Sequence, residues 1–288
     1  MAVSQAGAIQ NAKAQTTEWL DSVYPKYSLD SQLALAARWL GMNGHGGSLA
    51  GQISCRVPHP VHGNQALALR VSKYGYSFEE MGPDSMITTD ENLAPLEPAS
   101  SEDKSFPNYA TRFHKHVYAA REDVTCIIHT HPFYCSVLGL LESEQLADHM
   151  DMMGVYEDVA FAKDWPGVPF GDEEGEFMVR NMAGKNAIIL PNHGMLVVGK
   201  TLESALYRAY FLEQAAKLTV TALSAKVALR RPVSPELARI ARDWRMNDAP
   251  VKAHVAYFFR KVVEELSKER ALGNHTSACF LTLLNAEL

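Results

Sequence analysis

Three histidines carry the strongest chemical signal in this 288-residue sequence. Two of them, His129 and His131, flank Thr130 at the end of the apolar run VTCIIH. Residues two apart on a strand face the same side, so two imidazoles project together from the strand end. That is a bidentate arm for a divalent ion, and imidazole suits zinc, iron, manganese or copper. Pro132 stops the strand there. The third, His193, stands in Pro191-Asn192-His193-Gly194, between the apolar runs AIIL and MLVV. Gly194 permits an unusual backbone angle or a close approach at that turn. Three neutral imidazoles with open positions for water and substrate are the pattern of a catalytic metal site. An isolated HxH is more often a core or surface feature, and spacing alone does not bring the three rings together. Their convergence is therefore an expectation.

Alternating helices and strands must position these residues. Residues 31–40 (SQLALAARWL) repeat apolar positions at helical spacing. The glycine-rich stretch 41–51 reads as a loop, and 52–57 alternates as a strand. Residues 65–71 and 85–89 are further strands, 113–120 an amphipathic helix, and 124–129 a buried strand ending in His129. Short apolar strands at 187–190 and 195–198 enclose the His193 turn. Residues 202–222 form the best helix, with Thr201 as its N-cap. A last helix at about 251–269 precedes a weakly patterned tail. His114 and His116 face different sides of their helix and make a poor chelate. The remaining histidines, His45 among them, read as surface or supporting groups. The organisation expected is an N-terminal helical segment (1–30), one α/β domain (31–225) and a helical extension (226–288).

Composition narrows the class. Apolar residues make up 47% of the chain and charged residues 21%, which is ample for a packed core. A net charge of −6 argues against nucleic acid as a partner, because phosphate surfaces require a basic patch. No apolar run approaches the roughly 20 residues that span a bilayer, so no membrane partner is expected. The N-terminus lacks a basic segment followed by an apolar one. Four scattered cysteines form no CxxC pair, so a reducing, cytoplasmic setting is the expectation.

The segments REDVTCIIHTHPFYCSVL and AIILPNHGMLVVGKTLESALYRA resemble the class II aldolase/adducin family. That family pairs a strand ending in HTHP with a later NHG turn, a valine-rich strand, a glycine and a long helix. GGSLAGQISCRV and SFEEMGPDSMITTD are similar to its glycine-rich entry strand and the next loop–strand unit, so the likeness runs from about residue 30 to 225. The resemblance implies an α/β fold, a three-layer α/β/α sandwich around a mostly antiparallel central sheet. It also implies one divalent metal ion (zinc, manganese or iron) and a homo-oligomer, with a tetramer favoured and active sites at subunit interfaces.

Departures from the family pattern bear on the chemistry. The sugar-phosphate aldolases carry Ser-Ser-Glu ahead of a helix. The serines hold phosphate, and the glutamate moves protons and can bind the metal. Here Asn108, Tyr109 and Ala110 stand at those positions, and Gln52 replaces the family's asparagine on the first strand. Only a local gap would let Glu102 or Asp103 supply the carboxylate. The expected substrate is therefore small, carboxylated and not phosphorylated. The expected reaction is cleavage of a carbon–carbon bond, by decarboxylation or aldol cleavage. Tyr134, His114 and Tyr109 are the candidate proton donors, and Gln52, Arg56, Arg70, Lys73 and Asn108 the candidate substrate contacts. Alternatives are a non-haem iron oxygenase on an aromatic 2-oxo or 2-hydroxy acid, an epimerase, and a non-catalytic module like adducin.

Overall fold

The structure, a computed structural model, describes residues 24–96, 105–165, 167 and 172–287. Glu102, Asp103 and most of the expected N-terminal helical segment lie outside the described residues. Seven strands form one sheet in the order β3-β2-β1-β4-β7-β6-β5. They are β1 (Gln52–His59), β2 (Gly63–Ser72), β3 (Met86–Asp90), β4 (Cys126–Thr130), β5 (Val159–Phe161), β6 (Ala187–Ile189) and β7 (Met195–Gly199). Every pairing is antiparallel except β5 with β6.

Strand alternation sorts the core into two layers. On one face, Ile53, Cys55, Cys126, Ile128, Met195 and Val197 pack under α1 (Leu29–Leu40) and α5 (Leu202–Ser224). On the other, Leu69, Val71, Ile127, Leu196 and Val198 pack under α2 (His114–Ala120) and α4 (Glu173–Met182). The result is the expected three-layer α/β/α sandwich, with α3 (Phe133–Leu138) inserted directly after β4. The glycine-rich stretch is mostly the loop expected of it: α1 runs on into Gly41 and Met42, then Asn43 and Gly44 leave helical geometry (φ −113° and 87°).

The C-terminal helices are α6 (Pro235–Arg245), α7 (Asp248–Ala271) and α8 (His275–Glu287). Val251, Val255, Phe258, Phe259, Val262 and Leu266 recur at helical spacing and bury α7 in the first layer. Phe258 stacks on Trp39 of α1 with centroids 4.3 Å apart. The weakly patterned tail is itself helical, and Phe280, Leu281 and Leu284 join the same core. Its Glu287 accepts hydrogen bonds from Ser28 N (2.9 Å), Ser28 Oγ (2.7 Å) and Ser31 Oγ (2.9 Å) at the start of α1. No helix among the described residues is long and apolar enough to cross a membrane.

One buried carboxylate anchors the segment after β4. Glu213 of α5 accepts from the backbone N–H groups of Tyr134 and Cys135, each at 2.9 Å. These are first-turn donors of α3, which no residue of that helix can satisfy. Glu213→Ala should therefore destabilise the chain by about 2–4 kcal/mol, since it leaves two helix-start donors unmatched beside a cavity. Chemical denaturation followed by circular dichroism measures this.

Candidate metal centre

Strand β4 faces His129 toward the α2/α4 layer, the same side as Ile127. The ring of Phe113 meets His129 edge-on at 5.2 Å. His131 follows the strand end, and Pro132 turns the chain into α3. The His193 turn closes through Leu190 N donating to Gly194 O at 2.8 Å, with Asn192 in the left-handed region (φ 54°). Helix α3 reaches back to hold it. Ser136 Oγ donates to His193 O at 3.1 Å, and Asn192 N donates to Gly139 O at 3.1 Å. Gly194 lies against the Thr130 carbonyl and the His131 ring, so a Cβ there would come within 2.6 Å of His131 Cδ2. The glycine is required for this close approach.

These contacts bring His129, His131 and His193 together. Their ring centroids are 4.5–4.9 Å apart, and one ring nitrogen from each lies within 4.8 Å of the other two. Nε2 of His129 and Nε2 of His131 are 3.0 Å apart. Burial pushes all three below the usual histidine range. His129 is lowered furthest, by burial and then by the neighbouring rings of His193, His131 and His114. His193 is pushed down to about 4 by burial and by His131. At neutral pH the rings are uncharged and offer lone pairs, the form in which imidazole binds a metal. A convergent set of three neutral nitrogens fits a divalent ion, and among the described residues no other such group of His, Cys, Asp or Glu is found.

The other expected site residues divide by position. Gln52 lies opposite His129 in the β1–β4 register, and its buried Oε1 has no hydrogen-bond partner. His114 is fully buried, with Nδ1 2.8 Å from Ser54 Oγ and Nε2 unpartnered. Burial pushes it down to about 3, so its ring is uncharged at neutral pH. His116 points elsewhere, 3.2 Å from Asp172, as the helical spacing requires. Asn108 caps the short helical turn Tyr109–Phe113 by accepting from Ala110 N at 3.1 Å. Tyr109 is exposed and stacks on Phe106, which stacks in turn on Tyr74. Lys73 forms a backbone bridge to Pro107, beside Asn108.

Three candidates are not drawn into the cluster. Arg56 shares the histidine face but sits beside the opposite end of β4 from His129, donating to Tyr118 O (2.8 Å) and Val124 O (3.4 Å). Arg70 alternates to the opposite face and pairs with Asp30 at 2.7 Å. Tyr134 packs against the α1/α5 layer, with Lys217 over its ring at 5.8 Å. His45 is buried and not superficial, with Nδ1 2.9 Å from Thr130 Oγ1.

Sequence reasoning missed Glu174 of α4. It is 4% exposed, and its Oε1 lies 3.8 Å from Nδ1 of His193. Burial raises it to about 7. The signal was faint, because EEGEFMVRNM has a glycine in its first turn and only a short apolar stripe.

Two outcomes follow from this geometry. Gly194→Ala should weaken metal binding at least about tenfold in an equilibrium chelator competition, because the added methyl displaces His131. The metal-free protein should lose stability as pH falls from 6.5 toward 4, measured by denaturation at each pH. The unfolded chain takes up histidine protons in that window while His193, His129 and His114 stay neutral in the fold. Glu174 acts in the opposite sense between pH 4.5 and about 7, so its replacement by Gln should steepen the loss.

Comparison with known proteins agrees with this architecture. The family model described as "Class II Aldolase and Adducin N-terminal domain" matches residues 31–220. The chain is 28% identical over 131 residues to "4-hydroxy-3-prenylphenylpyruvate oxygenase/4-hydroxy-3-prenylbenzoate synthase" of Streptomyces roseochromogenus subsp. oscitans, covering 46% of this chain and 47% of that one. It is 27% identical over 160 residues to "Decarboxylase NovR" of Streptomyces niveus, covering 55% and 56%. Among solved structures, the L-fuculose 1-phosphate aldolase from Glaciozyma antarctica PI12 shares the fold. Its TM-score is 0.71 at 22% identity, over 84% of this chain and 90% of that chain. Strand order, the paired HTHP and NHG segments and the family match together place this chain in the class II aldolase and adducin N-terminal domain family.

Proposed function

We propose that this chain is a metal-dependent lyase that breaks a carbon–carbon bond in a small, carboxylated, non-phosphorylated substrate. The observation that carries this reading is the convergence of three neutral imidazoles from β4 and the His193 turn. A divalent ion held there by His129, His131 and His193 would keep most of its positive charge and act as a Lewis acid on a carboxylate and an adjacent oxygen. A non-catalytic module has no need of such a cluster.

The residues around the histidines support the substrate class. Asn108 spends its side-chain oxygen on its own helical turn, and Tyr109 leans on Phe106, so neither stands as a serine-like grip for phosphate. Ala110 can neither move a proton nor bind a metal. Loss of carbon dioxide needs no base to start, only a later proton, which suits decarboxylation better than aldol cleavage. Gln52 Oε1 would accept a hydrogen bond from a substrate hydroxyl, and His114 Nε2 would offer a second polar contact; both are buried without a partner. Each would satisfy an atom now buried without a partner.

Within this reading the working unit is a homo-oligomer, a tetramer with sites at subunit interfaces. The exposed ladder of Tyr74, Phe106 and Tyr109, with neighbouring centroids 5.4 and 5.7 Å apart, offers aromatic surface for a second subunit beside the position of Asn108. A cytoplasmic setting is consistent with four free cysteines, three of them buried. The oxygenase reading draws on the similarity to one relative of that name.

Elemental analysis joined to an oxygen-electrode trace tests these readings, with 2-oxo and 2-hydroxy acids as substrates. The expected result is about one zinc or manganese per chain, release of carbon dioxide or aldehyde, and no oxygen uptake. His129→Ala, His131→Ala and His193→Ala should each lose metal and activity. Full metal content in all three variants would overturn the centre. Iron with substrate-dependent oxygen consumption would replace the lyase with the oxygenase.

A further inference from the structure

A carboxylate buried without a hydrogen bond is costly, because it gives up water and gains nothing in return. Glu174 is in that situation, since neither of its oxygens is solvated or hydrogen-bonded. Its neighbour Gly175 packs directly on the ring of His116, which presses the start of α4 against α2 and turns Glu174 inward. There its Oε1 faces Nδ1 of His193 across 3.8 Å, slightly longer than a hydrogen bond. A ligating histidine nearly always donates its second ring N–H to a carboxylate, a carbonyl or water. His193 has the carboxylate beside it, and that carboxylate has no other hydrogen-bond partner among the described residues.

We propose that Glu174 is the positioning residue of the metal centre, accepting a hydrogen bond from Nδ1–H of His193 and so committing that ring to bind metal through Nε2. The inference rests on the metal-centre reading above and deepens it. A short adjustment of either side chain closes the gap. The paired carboxylate fixes the ring's tautomer and orientation and makes it a more basic ligand. It approaches the centre from α4, on a different element from Ala110, where the expected carboxylate is missing.

The test uses the full chain. Zinc affinity is measured by competition with a chromophoric chelator for the wild type and for Glu174→Gln, alongside the melting temperature of each metal-free protein. The expected result is a 10–100-fold loss of zinc affinity in Glu174→Gln, with metal-free melting unchanged or raised. The cobalt-substituted variant should also show a shifted visible spectrum. A packing role would instead lower metal-free melting and leave affinity alone. Equal affinities in wild type and variant would overturn the proposal while leaving the metal centre standing. A wild type that binds no zinc would overturn both. A second measurement does not depend on the variant folding. Two-bond nitrogen–proton correlations of 15N-histidine-labelled, zinc-loaded wild type should show His193 protonated at Nδ1. Ligation of His193 through Nδ1 would overturn the proposal.

Discussion

Everything at the centre depends on how closely the His193 turn approaches the end of β4. Thr130 pairs with Met195, so Gly194, one residue earlier, is pressed against the Thr130 carbonyl and the backbone of His131. Only hydrogen fits at that Cα. The contact allows a ring on the turn to share a small volume with two rings on the strand. Helix α3 then stabilises the turn through Ser136 and Gly139, and Glu213 caps α3 from beneath. A strand register, a glycine and a capped helix thus draw together residues far apart in the chain.

The electrostatics of this region differ from those of an ordinary core. Interior polar atoms are normally paired. Here Gln52 Oε1, His114 Nε2 and both oxygens of Glu174 are buried and unpartnered around the histidine cluster. The histidines are held neutral and Glu174 is held near neutrality by burial. Buried polar groups with displaced titration cluster at functional sites more than in ordinary cores. On the same sheet face the other ring nitrogen of His114, Nδ1, is paired with Ser54 Oγ at 2.8 Å, and Ser54 Oγ in turn with the Tyr118 hydroxyl at 2.9 Å.

The opposite face of the sheet has a different task. Helices α1 and α5 cover the strands but leave an apolar outer surface, and α7 and α8 cover that surface in turn. Trp39 stacked on Phe258, and Glu287 holding the start of α1, tie the C-terminal helices into the same core as the sheet. Arg38 is buried at this junction, where it donates to Met81 O at 2.7 Å and lies over the ring of Phe280. Helices α7 and α8 therefore support the α1/α5 layer.

The sequence alone determined the strands around the histidines, the Thr201-capped helix and the identity of the three rings. These rest on short-range patterns, namely strand alternation, helical spacing and the punctuation of proline and glycine. It also supported the family resemblance, because HTHP and NHG are local strings. What it left open depends on contacts between distant segments. Whether Arg70 faces the site or the far layer is a matter of strand parity, and parity became known only when β2 paired with β1. Tyr134 was a candidate proton donor, yet α3 turns it to the other layer. Helix α4 was missed because Gly175 interrupts its first turn and its apolar stripe is short, although Met178 and Met182 do join the core of the α2/α4 layer. Glu174 came to the centre by that packing alone. Sequence determines which chemical groups a chain owns and how each segment bends, whereas tertiary packing decides which of them meet, because their energies of contact are settled between segments and not within them.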